Sequence, residues 1–248
     1  MTSFSIKPDR LVETASSIDT AVQRTAAETA TLASARNTLL GGWQGDAADA
    51  YAAKQGVFHV VTVPALNFLM LDGHGDPNSA GEYRDALATL YPVAYALKFF
   101  SKSELGQDYT VMPLEAQWWS EDMGAFTSDR DKSRWDWTVM NMVPSWLTQE
   151  QVDEAFRRVA AKGSAPALGK LRWESFEEGL CVQTLHTGSY DQEGPVLEEM
   201  HHAVIPSRGL TMTGRHHEIY LNDPRRTAPE KLKTILRQPV REGLGSRT

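Results

Sequence analysis

Glu218 and Tyr220 place a carboxylate and a phenol two residues apart in Gly214-Arg-His-His-Glu-Ile-Tyr-Leu-Asn-Asp-Pro-Arg-Arg226. The stretch reads as a strand ending in a turn. Residues i and i+2 of a strand point to one face. His216, Glu218 and Tyr220 therefore share a face, and His217, Ile219 and Leu221 share the other, predicted to pack on a core. A carboxylate can serve as a base on water, and a phenol can donate a hydrogen bond to developing negative charge. A Glu/Tyr face fits either a wet surface or a ligand pocket.

Aromatic residues concentrate nearby in sequence. Tyr91 and Tyr95 sit at i, i+4 on one predicted helix face. Glu115, Gln117 and Trp119 share one face of a predicted strand, while Leu114, Ala116 and Trp118 take the other. Trp135 and Trp137 also share a face, and Trp146 follows Pro144. These rings make either a tryptophan-rich core or a flat aromatic pocket in which a few polar groups orient a ligand.

Other candidates carry less chemistry. His201-His202 and His216-His217 are adjacent pairs whose rings point apart, so no metal site is expected. Gly73-His-Gly75 lacks the glycine pattern of a nucleotide site, and no cofactor is expected. Cys181 has no base partner in the sequence and reads as a small buried hydrophobe. Arg208, Arg215, Arg225 and Arg226 read as solvated charges.

The elements that must position these groups follow from periodicity and turn chemistry. Phe58 to Val63 and Leu66 to Leu71 are strand-like and broken at Pro64. Ser79-Ala-Gly-Glu82 forms a capping box for a helix with stripe Tyr83, Leu87, Leu90, Ala94 and Leu97, and Pro92 is expected to kink or split it. Thr110 to Trp119 and Trp135 to Val143 read as strands, and Thr148 to Gln151 caps a second helix that stops at Gly163. Leu171 to Thr187 is strand-like, Glu193 to Ile205 helical and ended by Pro206, and Leu210 to Leu221 holds the last strands. Thr227-Ala-Pro-Glu230 is expected to cap a short C-terminal helix. Strand, helix, strand, strand thus occurs twice, which predicts an α+β domain of two βαββ-type modules side by side.

The bulk numbers narrow the partners. The 25 basic and 32 acidic residues leave a net charge of -7, which argues against nucleic acid, whose phosphates need a basic surface. One cysteine excludes a disulfide framework and fits a reducing, cytoplasmic setting. No apolar run approaches the ~20 residues of a membrane span.

Residues 57 to about 240 resemble the GyrI-like small-molecule-binding domain, within the group that includes the drug-binding half of BmrR-type regulators. The resemblance is carried by Leu90-Tyr-Pro-Val-Ala-Tyr-Ala-Leu-Lys98, Met112-Pro-Leu-Glu-Ala-Gln-Trp-Trp119, Trp135-Asp-Trp-Thr-Val-Met140, Val182-Gln-Thr-Leu-His-Thr-Gly-Ser-Tyr-Asp191 and the His216 to Arg226 stretch. The subgroup with the Pro-Leu-Glu, Trp-Trp and His-His-Glu-Ile-Tyr runs resembles stand-alone proteins, some of which hydrolyse cyclopropanoid genotoxins of the yatakemycin and CC-1065 type. The resemblance implies an aromatic cleft with a buried acid at Glu218, which would bind a planar hydrophobic or cationic molecule. For ring-opening hydrolysis Glu218 would act on water, Tyr91 or else Tyr220 would donate to the substrate carbonyl, and Trp119 and Trp137 would stack on the ligand. Tyr95 and Glu115 are further ligand-binding candidates. A non-catalytic module that sequesters drugs is the alternative.

Residues 1–56 are Ala- and Thr-rich. Leu11, Ala15, Ile18, Val22, Thr29, Leu32 and Leu39 form a helical stripe, Gly41-Gly42 stops it, and Ala47 to Lys54 reads as a second short helix. With Trp43 and Gly45 between them, the segment resembles a truncated WXG100 (ESAT-6-like) hairpin, which implies a homodimer or a secreted interaction protein as a further alternative.

Overall fold

The computed structural model describes residues 51–120, 131–163 and 165–243. The helical expectations for residues up to 50, the WXG100-like turn included, lie outside the described residues. Of the predicted helix Ala47 to Lys54, the described part, Tyr51 to Lys54, is a turn and an extended stretch instead. It runs beside the sheet, where the Gln183 side chain donates to Ala52 O at 2.8 Å.

The chain then forms β1 (His59–Val63), β2 (Leu66–His74), α1 (Gly81–Glu104), β3 (Leu114–Trp119), β4 (Asp136–Val143) and α2 (Gln149–Lys162). Next come β5 (Arg172–Phe176), β6 (Gly179–Thr187), α3 (Gly194–Glu199), β7 (Leu210–Met212), β8 (His216–Tyr220) and β9 (Lys233–Glu242). The sheet order is β1-β6-β9-β8-β3-β4-β2-β5, with β7 paired to β9, and these strands pair antiparallel throughout. The duplication is visible in that order. In β2-α1-β3-β4 the last strand lies between the other two, and in β6-α3-β8-β9 it does so again. The two βαββ modules meet edge to edge at β3 and β8, so the strand carrying Glu218 lies at the centre of the sheet.

Several local expectations are corrected. The C-terminal helix is absent: Pro229–Lys231 is one 3-10 turn, and Lys233–Glu242 is the central strand of the second module. The Thr-Ile-Leu run favours a pleated, buried surface over a helix. Pro239 is tolerated because it sits where the neighbour of β9 changes, between Arg237, the last residue paired with β8, and Val240, the first paired with β7. Pro92 does not split α1, which runs through it for 24 residues. The Ser79 capping box does not form. The residue before the helix is Ala80, and Glu82 instead pairs with Lys170 at 2.6 Å. The Thr148 box does form, with Gln151 accepting from Thr148 N–H at 3.0 Å, and Gly163 ends α2 at φ 64. The third helix is not stopped at Pro206. It passes through a π-helical turn, Met200–Val204, into a last α-turn, Ile205–Ser207.

The helices lie on one sheet face. Leu90, Val93 and Leu97 of α1 and Val152 and Val159 of α2 pack on Leu69, Leu71, Ala116, Trp118, Trp137 and Val139. Met200 and Ile205 pack on Val182, Leu236 and Val240 in a second cluster. Each module thus buries its own core, and the junction strands β3 and β8 lie between. Among the described residues no helix is long and apolar enough to cross a membrane.

Candidate functional site

Register decides what surrounds Glu218. Ala116 lies opposite Glu218, and Trp118 opposite His216. Directly opposed residues share a face, so Trp118, His216, Glu218 and Tyr220 all stand on the helix-bearing side. The carboxylate is largely enclosed, its side chain 14% exposed. Tyr220 donates its hydroxyl hydrogen to Glu218 Oε2 at 2.6 Å, and Trp118 Nε1–H donates to the Tyr220 oxygen at 3.0 Å. On the other side, His216 Nε2 lies 3.4 Å from Glu218 Oε1.

Rings extend outward from this centre. Tyr83, in the first turn of α1, stacks on Trp118 with centroids 6.1 Å apart and meets Trp137 edge-on at 5.1 Å. Trp135 meets Trp118 edge-on at 5.8 Å. Tyr190 meets Tyr220 edge-on at 5.5 Å. Burial raises the Tyr83 phenol, and the Glu218 charge raises it further. Burial, Glu193 and Glu218 push the Tyr190 phenol up to about 12. Both phenols therefore stay protonated near neutrality and feel the Glu218 carboxylate. Burial raises Tyr220 as well, with the Glu218 charge adding to it. Among the described residues no Lys or Arg pairs with Glu218, and the imidazole beside it is that of His216.

The opposite sheet face holds a separate buried network. His217, expected on an apolar face, is fully enclosed between Glu115 Oε2 at 3.1 Å and Glu178 Oε1 at 2.9 Å. Arg237 donates to Glu178 at 2.6 Å and to Gln183 at 2.8 Å, and the Tyr51 hydroxyl donates to Glu115. Burial pulls the His217 imidazole down, but the Glu178 charge and its bonds to Glu115 and Glu178 outweigh that and push it up to about 9. Burial pushes the Glu178 carboxyl up, but His217 and Arg237 outweigh it and hold it at about 2.

The structure therefore brings some expected residues together and separates others. Glu218 and Tyr220 meet. Trp137 is fully buried beneath Tyr83, with its Nε1–H donating to Gly75 O at 3.2 Å. Tyr91 is half-buried further along α1, its phenol raised by burial and then by Asp223. Trp119 and Glu115 stand on the far face, where Arg215 lies 3.4 Å over the Trp119 ring and Glu115 belongs to the His217 network. Tyr95 is 47% exposed and stacks on Phe99. Sequence reasoning did not single out Trp118, Tyr83 and Tyr190. Alternation places Trp118 on the strand face opposite that of Trp119, but only register shows that this face is also that of Glu218.

The comparisons agree with this architecture. The GyrI-like small molecule binding domain matches residues 57–241. An uncharacterized conserved protein from Listeria innocua is 38% identical, with 78% of this chain and 96% of that chain aligned at a TM-score of 0.71. A structure described as a hydrolase from Listeria innocua is 37% identical over 78% of this chain and 95% of that chain, with a TM-score of 0.67. No curated protein matches. The chain belongs to the GyrI-like small molecule binding domain family.

Proposed function

We propose that the protein binds a planar, hydrophobic or cationic small molecule beside Glu218 and opens a strained ring in it by hydrolysis. The observation that carries this reading is a largely enclosed carboxylate, ringed by Trp118, Tyr83, Tyr190 and Tyr220, with no Lys or Arg partner among the described residues. An enclosed charge without a counter-ion is costly, and a cationic or polarised ligand offsets that cost while the rings cover its faces. The relative described as a hydrolase supports a hydrolytic outcome.

For a cyclopropane fused to a dienone, water attacks the ring carbon and loses a proton to Glu218. The C–C bond breaks, and its electron pair moves through the ring to the carbonyl oxygen, which becomes a phenolate and then a phenol. A donor must meet that oxygen. Tyr220 is committed to Glu218, so Tyr83 and Tyr190, whose phenols stay protonated beside the carboxylate, replace Tyr91 and Tyr220 in this role. The test is incubation with a CC-1065-type cyclopropanoid, followed by mass spectrometry. The expected product is heavier by one water, formed by the parent and not by Glu218→Gln. Binding without such a product would favour the non-catalytic, sequestering reading instead.

A further inference from the structure

Glu218 lies between its two same-face neighbours on β8, and each neighbour is itself braced from another element. On one side Tyr220 holds Oε2 and is held in turn by Trp118 from β3. On the other side His216, 3% exposed, lies 3.4 Å from Oε1. The His216 ring meets His201 at a centroid distance of 6.2 Å and an interplanar angle of 81°. His201 projects from the π-helical turn Met200–Val204, a local widening that re-aims side chains and recurs at functional sites. Burial, with His216 and His202 beside it, holds the His201 imidazole down at about 4, so it braces His216 as a neutral ring.

We infer that His216 is a positioning residue for Glu218: with Tyr220 on the opposite side, it fixes the direction of the carboxylate toward the ligand. The inference rests on the proposed ligand site. A carboxylate touched on one oxygen alone can rotate about its last side-chain bond. Contact on both oxygens fixes it, and orientation within small tolerances separates a working polar group from one that is merely present. The line from Trp118 through Tyr220, Glu218 and His216 to His201 also spans both modules. The site is therefore set by how the modules dock as well as by its own strand.

The experiment compares two probes of nearly equal shape, 10-methylacridinium and acridine, at a pH where acridine is uncharged. Binding to the full chain is read by tryptophan fluorescence, and the quantity of interest is the affinity ratio of cation to neutral probe. The parent should favour the cation by about tenfold, the size expected for one well-placed charge. His216→Leu should lower the ratio several-fold. His216→Gln, whose amide N–H can still reach Oε1, should restore most of it, whereas His216→Asn, one carbon shorter, should not. A folded His216→Leu or His216→Asn protein with the parental ratio would overturn the positioning role. Glu218→Gln separates that failure from failure of the site itself. If it abolishes the preference while the His216 variants do not, only the positioning role is wrong. If it leaves the preference intact, Glu218 is not the counter-charge and the reading of the site falls.

Discussion

The Trp118 indole donates to the Tyr220 phenol at 3.0 Å, across the junction between the two βαββ modules. Tyr220 passes the interaction on by donating to Glu218 at 2.6 Å. Tyr220→Phe would therefore remove two bonds, leaving the Trp118 N–H without its acceptor and Glu218 without its closest donor. Unsatisfied buried groups cost about 1–3 kcal/mol. We predict a loss of that size in urea unfolding, together with weaker binding of 10-methylacridinium. An unchanged urea midpoint would mean that the bond is not made in solution.

The His217–Glu178 pair predicts a stability window. The folded value of His217, about 9, lies above the 6.5 of an ordinary imidazole. Its stabilisation is complete below pH 6.5 and disappears as pH climbs to 9. Glu178 runs the other way, at about 2 against 4.5. Its stabilisation is complete above pH 4.5 and disappears as pH falls to 2. The pair therefore contributes most between pH 4.5 and 6.5, by a few kcal/mol that the two partners share. Urea midpoints across the range should fall on both sides of that window. His217→Phe should flatten the alkaline limb, and a variant with the parental limb would place its cause elsewhere.

Arg237→Met tests the same network from its cationic end. Arg237 is 2% exposed and donates to Glu178 at 2.6 Å. Removing one partner of a buried pair strands the other charge and costs about 3–5 kcal/mol. Glu178 would lose a lowering influence, so the acid limb should move to higher pH. A change under about 1 kcal/mol would show that water reaches Glu178.

Gly73 is predicted to resist any side chain. A Cβ there would lie 2.1 Å from Trp137 Cη2, and Trp137 is fully buried. Its indole lies directly over the Gly73 backbone, so the glycine is a notch cut for a ring. Gly73→Ala must displace that indole, which also packs on Tyr83. Overpacking of this kind costs about 1–3 kcal/mol. The expected signature is a lower melting temperature with altered tryptophan emission. Parental values for both would mean that the ring has room to move.

The duplicated βαββ plan was legible because each module repeats the same order of periods, and Glu218 with Tyr220 was legible from i, i+2 spacing alone. What spacing leaves open is which faces of different strands coincide. Trp118 and Trp119 are adjacent and equally aromatic, and only the pairing of Trp118 with His216 places the first on the Glu218 side. The β9 strand was hidden by a local signal, the Thr227 to Glu230 box, which produces no more than a 3-10 turn because Lys233 onward is drawn into the sheet. The His217 network was hidden because its members are 39 to 102 residues apart in sequence where β8 meets Glu178 and Glu115. Nothing local marks such a cluster.

That ambiguity of faces supplies the sharpest test of the site. Two adjacent tryptophans and two helix tyrosines form matched pairs, one member of each beside Glu218 and one away from it. Tyr83 stacks on Trp118 next to the carboxylate, whereas Trp119 faces Arg215 on the far side and Tyr95 stacks on Phe99 at the surface. Loss of a ring that covers a bound aromatic ligand costs about 1–3 kcal/mol, a factor of roughly ten in dissociation constant for each 1.4 kcal/mol. Trp118→Leu and Tyr83→Ala should therefore weaken 10-methylacridinium binding by about tenfold or more. Trp119→Leu and Tyr95→Ala should leave it within about twofold, because surface changes away from a site usually shift free energies by less than about 0.5 kcal/mol. If the Trp119 and Tyr95 variants lost affinity while the Trp118 and Tyr83 variants kept it, the ligand would sit on the other face of the sheet, with Glu115 rather than Glu218 as its acid.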